Sequence, residues 1–244
     1  IFINLTILEL PMKHRLTRPR PPLHASASRE RPRERLLTHG AQSLTNAELL
    51  AIILRTGMRG CDAVALGQQL IDRFRGLRSL LSADSASLLE ITGLGHAKTC
   101  ELLAINELNR RAMHEELEHG HALDQPERVK HYCTATIGHR KIEHCMALYL
   151  DSQFRLIESE EVSRGTLTQA SVYPREIVKA ALRHHAAALI LAHNHPSGIT
   201  EASQADLALT RHLKSALALV DIRLLDHLIV TPTQAVSLAE QGRV

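Results

Sequence analysis

Residues 186–192, Ala-Ala-Ala-Leu-Ile-Leu-Ala, form an unbroken apolar run between two amphipathic patterns, PREIVKAALRHH before it and ASQADLALTRHLKSALAL after it. A run this short, flanked by helix signals, predicts a strand buried on both faces, which requires helices on both sides of a sheet. Pro174 suits the first turn of the preceding helix. HCMALYLD (144–151) and FRLIESEEV (154–162) read as extended segments joined by a tight Ser152-Gln153 connection, a hairpin signal although the turn lacks glycine. DIRLLDHLIV reads as a last strand. The fold class expected for this half is α/β: a mixed sheet flanked by helices.

Upstream the period is different. Asp124-Gln125-Pro126, after the charged HEELEHGH stretch, marks a break in composition, and from Arg35 to about Ala112 the spacing is helical. Asn46 is placed to cap AELLAIILRT and Gly57 to stop it, with DAVALGQQLIDRF and ASLLEI following; no strand is read there. Five of the nine prolines lie within the first 32 residues, interleaved with Arg and Ser, so the opening stretch is expected to be a disordered tail. The expected organisation is a tail over 1–28, a small all-α domain over 29–122 and an α/β domain over 123–244, with no internal repeat.

Composition narrows the function. Three Phe, three Tyr and no Trp leave few rings for stacking bases, which disfavours a single-strand binder. The net charge of +3 is uneven: Lys13 to Arg35 carries eight Lys/Arg against Glu30 and Glu34, so the rest of the chain is net acidic. That excludes a body wrapped in nucleic acid and leaves a basic arm that is solvated or touches phosphates. Cys61, Cys100, Cys133 and Cys145 have no CxxC spacing, so neither a zinc ribbon nor a disulfide scaffold is expected, and reduced thiols in cytoplasm are the plain reading. Ile1–Pro11 is far shorter than the roughly 20 residues that span a bilayer, and its basic residues follow rather than precede it. No membrane partner is expected, and Met12 reads as a natural start.

The apolar run ends in His193-Asn194-His195-Pro196. Residues i and i+2 of a strand share a face, so both imidazoles converge at the sheet's carboxyl edge. Ser197-Gly198 turns the chain, and Ser203 and Asp206 fall on one face of the next helix, able to return toward the histidines. Two histidines and one carboxylate would leave a zinc position open. His212 and Glu201 are turned away around the helix. Asp206 has a second reading as a carboxylate at a helix N-terminus with no metal.

The spacing His193-x-His195-Pro196, six residues, Ser203, two residues, Asp206 resembles the JAMM motif of JAB/MPN zinc metallopeptidases. HNHPSG, preceded by SRGTL and PREIVKAAL, with RPRERLL and AELLAIILRTG near the N-terminus, is similar to the bacterial RadC proteins from about residue 30 to 244. The resemblance implies one zinc ion (Zn2+) held by His193, His195 and Asp206. It implies that Glu143, at the start of an upstream strand, is the general base and then acid for hydrolysis of an amide bond in a protein or peptide. It also implies that Ser203 donates to the oxyanion, against the alternative that it only caps its helix. A contiguous His-Asn-His gives no support for HNH nuclease chemistry, whose residues are separated.

Other polar residues have plainer readings. Glu158, Glu160 and Glu161 are expected on a solvated strand face. Asp226-His227, inside an apolar strand, reads as a satisfied buried hydrogen bond before a second layer around a metal. His184-His185 ends a helix, where cations are favoured. Ile91 to Lys98, with Gly93 and Gly95, is similar to a helix-hairpin-helix turn, whose amides could meet a duplex DNA phosphate with Lys98 adding charge. A purely structural hairpin is the competing reading. A DNA-associated module with a structural or vestigial metal site is therefore the alternative function.

Overall fold

The computed structural model describes residues 30–165 and 172–244; the expected tail over 1–28 lies outside the described residues. The helical part comprises α1 (Pro32–His39), a 3-10 turn (Ala41–Ser43), α2 (Asn46–Leu54), α3 (Ala63–Phe74), α4 (Leu77–Leu81), α5 (Ser85–Leu89) and the long α6 (His96–His119). Leu50, Leu54, Leu66, Leu70, Leu80, Leu88, Leu94 and Leu102 form its leucine core. Among its described residues the only extended pairing is an isolated bridge between Met58 and Cys61.

Two expectations here are corrected. Thr45, not Asn46, caps α2: its side chain accepts from Glu48 N while Glu48 Oε2 takes the Thr45 N–H at 2.9 Å, a reciprocal box that the sequence T-x-x-E already spells. The helix ends at Leu54, with Arg55 at φ 61°, two residues before Gly57. Gly57 answers to packing instead: a Cβ there would lie 2.1 Å from Cys61 O.

Beyond α6 come α7 (Pro126–Ile137), β1 (His144–Leu150), β2 (Leu156–Arg164), α8 (Pro174–Arg183), β3 (Ala188–Asn194), α9 (Gln204–Ala218), β4 (Arg223–Val230) and β5 (Ala235–Ser237). The sheet order is β2-β1-β3-β4-β5; β3 and β4 run parallel across the α9 crossover, and the other neighbours are antiparallel. The mixed sheet flanked by helices is the expected class. Two elements were not read from the sequence. α7 starts with Pro126 at its first turn and buries Val129, Tyr132, Cys133 and Ile137 at helical spacing, a signal hidden among polar residues. β5 follows β4, which is therefore not the last strand.

Strand alternation sets the layers. Met146, Leu148 and Leu150 of β1 and Ala188, Ile190 and Ala192 of β3 pack with α7. Cys145, Ala147 and Tyr149 of β1 and Leu189 and Leu191 of β3 pack with α8 and α9. A sheet covered on both faces needs β3 to be apolar at every position, which is the physical meaning of the Ala186–Ala192 run.

On β2, Glu158 and Glu161 are exposed, as expected of a solvated strand face, and Glu160 is half-buried. Glu160 pairs with Arg183 and His184, and Glu161 with His144 and Arg164. Among the described residues no helix is long and apolar enough to cross a membrane, and all four cysteines are free thiols.

Candidate metal centre

The alternation that buries Leu189 and Leu191 against α9 carries His193 to the same face and Asn194 to the opposite one. His195 N donates to Val230 O at 2.8 Å, extending the β3–β4 pairing by one residue, so His195 returns to the α9 face. α9 points its N-terminus at this edge. Ser203 is its cap: Ser203 Oγ accepts from Asp206 N at 3.2 Å and donates to Asp206 Oδ2 at 2.7 Å, and Ser203 N donates to the same oxygen at 2.7 Å. The helix-capping reading of Ser203 is thus realised in the structure.

His193, His195 and Asp206 each place one ligand atom within 4.8 Å of the others. His193 and Asp206 are buried, whereas the His195 side chain keeps 11% exposure and is the solvent side of the cluster. Glu201 and His212 do not join it. Glu143 stands one residue before β1. Since Cys145 pairs with His193, the same antiparallel alignment puts Glu143 across from His195, whose imidazole its charge helps to raise.

Hydrogen-bond polarity decides what the cluster can hold. A carbonyl only accepts, so Ile199 O, 2.7 Å from His195 Nδ1, takes that ring's N–H and leaves Nε2 bare in the neutral ring. Thr210 Oγ1 donates to the Asp206 carbonyl at 2.7 Å and therefore accepts from His227 Nδ1 at 2.6 Å. Burial, with the neighbouring His193 adding to it, pushes the His227 imidazole down to about 3, so the ring is neutral and its Nε2 accepts from His193 Nδ1 at 2.7 Å. That leaves His193 Nε2 bare as well.

The two Nε2 atoms lie 2.9 Å apart, and Asp206 Oδ1, buried without a hydrogen-bond partner, lies 3.1 Å from His193 Nε2. The last contact joins two electron-pair donors and is not a hydrogen bond. An unpaired buried acceptor costs roughly 1–3 kcal/mol. Three such donors around one point are compatible with a cation, or with a proton in its place. Two imidazole nitrogens and a carboxylate oxygen suit zinc. The proton is the competitor: the Asp206 carboxylate, 3.6 Å from His195 Nε2, raises the His195 imidazole against the effect of burial, assisted by Ile199 O. With a proton on the histidines in place of a cation, His193, His195 and Ser203 hold the Asp206 carboxyl well below the carboxylate range, although burial would raise it.

The Asp226-His227 pair divides. His227, fully buried, is the hydrogen-bonded second layer behind His193, whereas Asp226 Oδ1 accepts from the backbone of His227 and of Ala239. Thr210 and Asn194 were not singled out from the sequence. Thr210 carried a signal, one turn after Asp206 on the same helix face.

In the Ile91–Lys98 turn, Gly93 has φ 94°, which only glycine adopts without strain, and Gly95 caps α6 in open space. Lys98 Nζ donates to Gly57 O in the α2–α3 connection at 3.1 Å and to Gly93 O in its own turn at 3.0 Å, so the ammonium bridges the two.

Helices on both faces of a mixed sheet, with a His-x-His and a distant aspartate at its carboxyl edge, define a JAB-class domain. The RadC-like JAB domain family matches residues 123–243, and the UPF0758 N-terminal family matches residues 23–100. A UPF0758 protein of Bordetella parapertussis is 59% identical over 213 residues, which is 87% of this chain and 95% of that protein. UPF0758 proteins of Chromobacterium violaceum and Marinobacter nauticus are 53% and 51% identical with the same coverage. The chain belongs to the UPF0758 family and carries its RadC-like JAB domain.

Proposed function

We propose that this protein is a metal-dependent hydrolase of an amide bond, peptide or isopeptide, acting on a protein or peptide substrate with one zinc ion as cofactor. The observation that carries the reading is the convergence of His193 Nε2, His195 Nε2 and Asp206 Oδ1, facing one another, on the sheet edge that Glu143 also reaches. Zinc held by these three side chains would supply a Lewis acid that polarises a carbonyl and brings the pKa of water to about 7.

The chain's own residues do the rest. Glu143 takes a proton from the attacking water as its oxygen bonds to the carbonyl carbon, and returns it to the nitrogen as the C–N bond breaks. Ser203 Oγ–H, which points at Asp206 Oδ2 in the resting state, turns to the oxyanion as charge develops there. His195, the exposed edge of the cluster, marks the side from which substrate enters.

Glu143→Gln tests the reading. The variant is expected to keep one zinc per chain by metal analysis and to lose hydrolysis of amide substrates by about 10²-fold or more, the usual worth of a positioned acid–base group. Undiminished hydrolysis would remove Glu143 from this role. The DNA-associated alternative is not adopted, because Lys98 is turned toward two backbone carbonyls.

A further inference from the structure

Asn194 lies between the two cluster histidines and is completely buried, yet it faces away from them. Its carboxamide is spent on a single segment. Asn194 Oδ1 accepts from His144 N at 2.6 Å, and Nδ2 donates to Arg140 O at 3.1 Å and Ile142 O at 3.2 Å. These three backbone groups bracket Glu143.

The backbone ladder between β1 and β3 runs from Leu150–Ala188 to Cys145–His193 and stops there. One residue further, at the His144–Asn194 position, the side-chain amide takes over: its oxygen replaces a strand carbonyl and its nitrogen replaces a strand N–H. Without it, the segment carrying Glu143 would lose its tie to β3 where the sheet ends. On the β2 side, Gly165 N donates to Glu143 O at 2.9 Å.

We propose that Asn194 is a positioning residue for Glu143, its carboxamide clamping residues 140–144 so that the carboxylate stays opposite His195. One dipeptide step of β3 thereby serves both halves of the site: the odd residues His193 and His195 face the ion position, and the even residue between them fixes the base. The catalytic consequence rests on the reading of Glu143 as that base; the clamp itself does not.

Amide hydrogen exchange on the full chain, with zinc analysis and amide hydrolysis alongside, tests this. In the native protein the His144 amide is expected to be protected as strongly as those of the following β1 residues. In Asn194→Ala, exchange over residues 141–144 is expected to rise about tenfold or more, while β3 and the rest of β1 keep their protection and zinc remains at one per chain. In hydrolysis, Asn194→Ala should remove most of the cost of adding Glu143→Gln, since a base already displaced has little left to lose.

A native His144 amide that exchanges freely would overturn the proposal without any variant, which covers the case in which Asn194→Ala does not fold. Unchanged exchange at 141–144 in the variant, or fully additive costs of the two substitutions, would overturn it too. Native protein that hydrolyses nothing would sink the hydrolase reading alone, and the exchange results would still decide the clamp.

Discussion

His227 Nε2 lies 2.7 Å from His193 Nδ1, and both rings are buried. This contact, relayed from Thr210, decides which nitrogen of His193 carries the proton and hence that Nε2 presents a lone pair to Asp206 and His195. A partner of this kind typically changes metal affinity by about 10–100-fold. His227→Gln and Thr210→Val are therefore expected to weaken zinc binding within that range in a chelator competition, with the ligands intact. Unaltered affinity in both variants would show that His193 needs no such fixing.

Zinc that binds only the folded chain raises its stability by mass action, by about 2.7 kcal/mol at a hundred times Kd. Thermal unfolding should show a zinc-dependent rise in Tm for the native protein and none for His193→Ala or Asp206→Asn. An equal rise in the Asp206 variant would place the ion elsewhere.

Ser203 holds two roles that one substitution separates. As an N-cap its loss costs about 1 kcal/mol, which in a chain of this size lowers Tm by roughly 2–4 °C. As an oxyanion donor its loss costs about 10²–10³ in kcat. Ser203→Ala should show both effects with zinc retained, whereas Ser203→Gly, which caps nearly as well, should keep most of the stability and still lose turnover. Full activity in Ser203→Gly would confine the residue to capping.

Asp84 ties the helical part to the segment that leads into Glu143: it accepts from Ser87 N at 2.7 Å as the cap of α5 and from Lys141 Nζ at 2.9 Å. The Ser87 amide, then Lys141, lower its carboxyl from 3.8 to about 2. A depressed acid stabilises above its unfolded pKa, and this contribution is lost as pH falls from about 3.8 toward 2. Asp84→Ala should cost about 1 kcal/mol at neutral pH, mostly the cap, and should flatten the acid limb of the stability profile in that window. An acid limb identical to the native one would argue that the group is already solvated.

The sequence by itself determined what strand alternation and helix periodicity encode. The apolar Ala186–Ala192 run required a strand covered on both faces, and its parity put His193 and His195 together; three-residue spacing put Ser203 and Asp206 on one turn. It was less informative where the signal was weak, as in α7, whose apolar positions are scattered among charges, and in the three-residue β5. Tertiary structure alone decided the polarity of the site. Asn194, Thr210 and His227 act through hydrogen bonds spanning 50, 17 and 34 residues to His144, His227 and His193. Which proton points where depends on the carbonyls and rings that packing brings to each of them, and linear spacing does not record those partners.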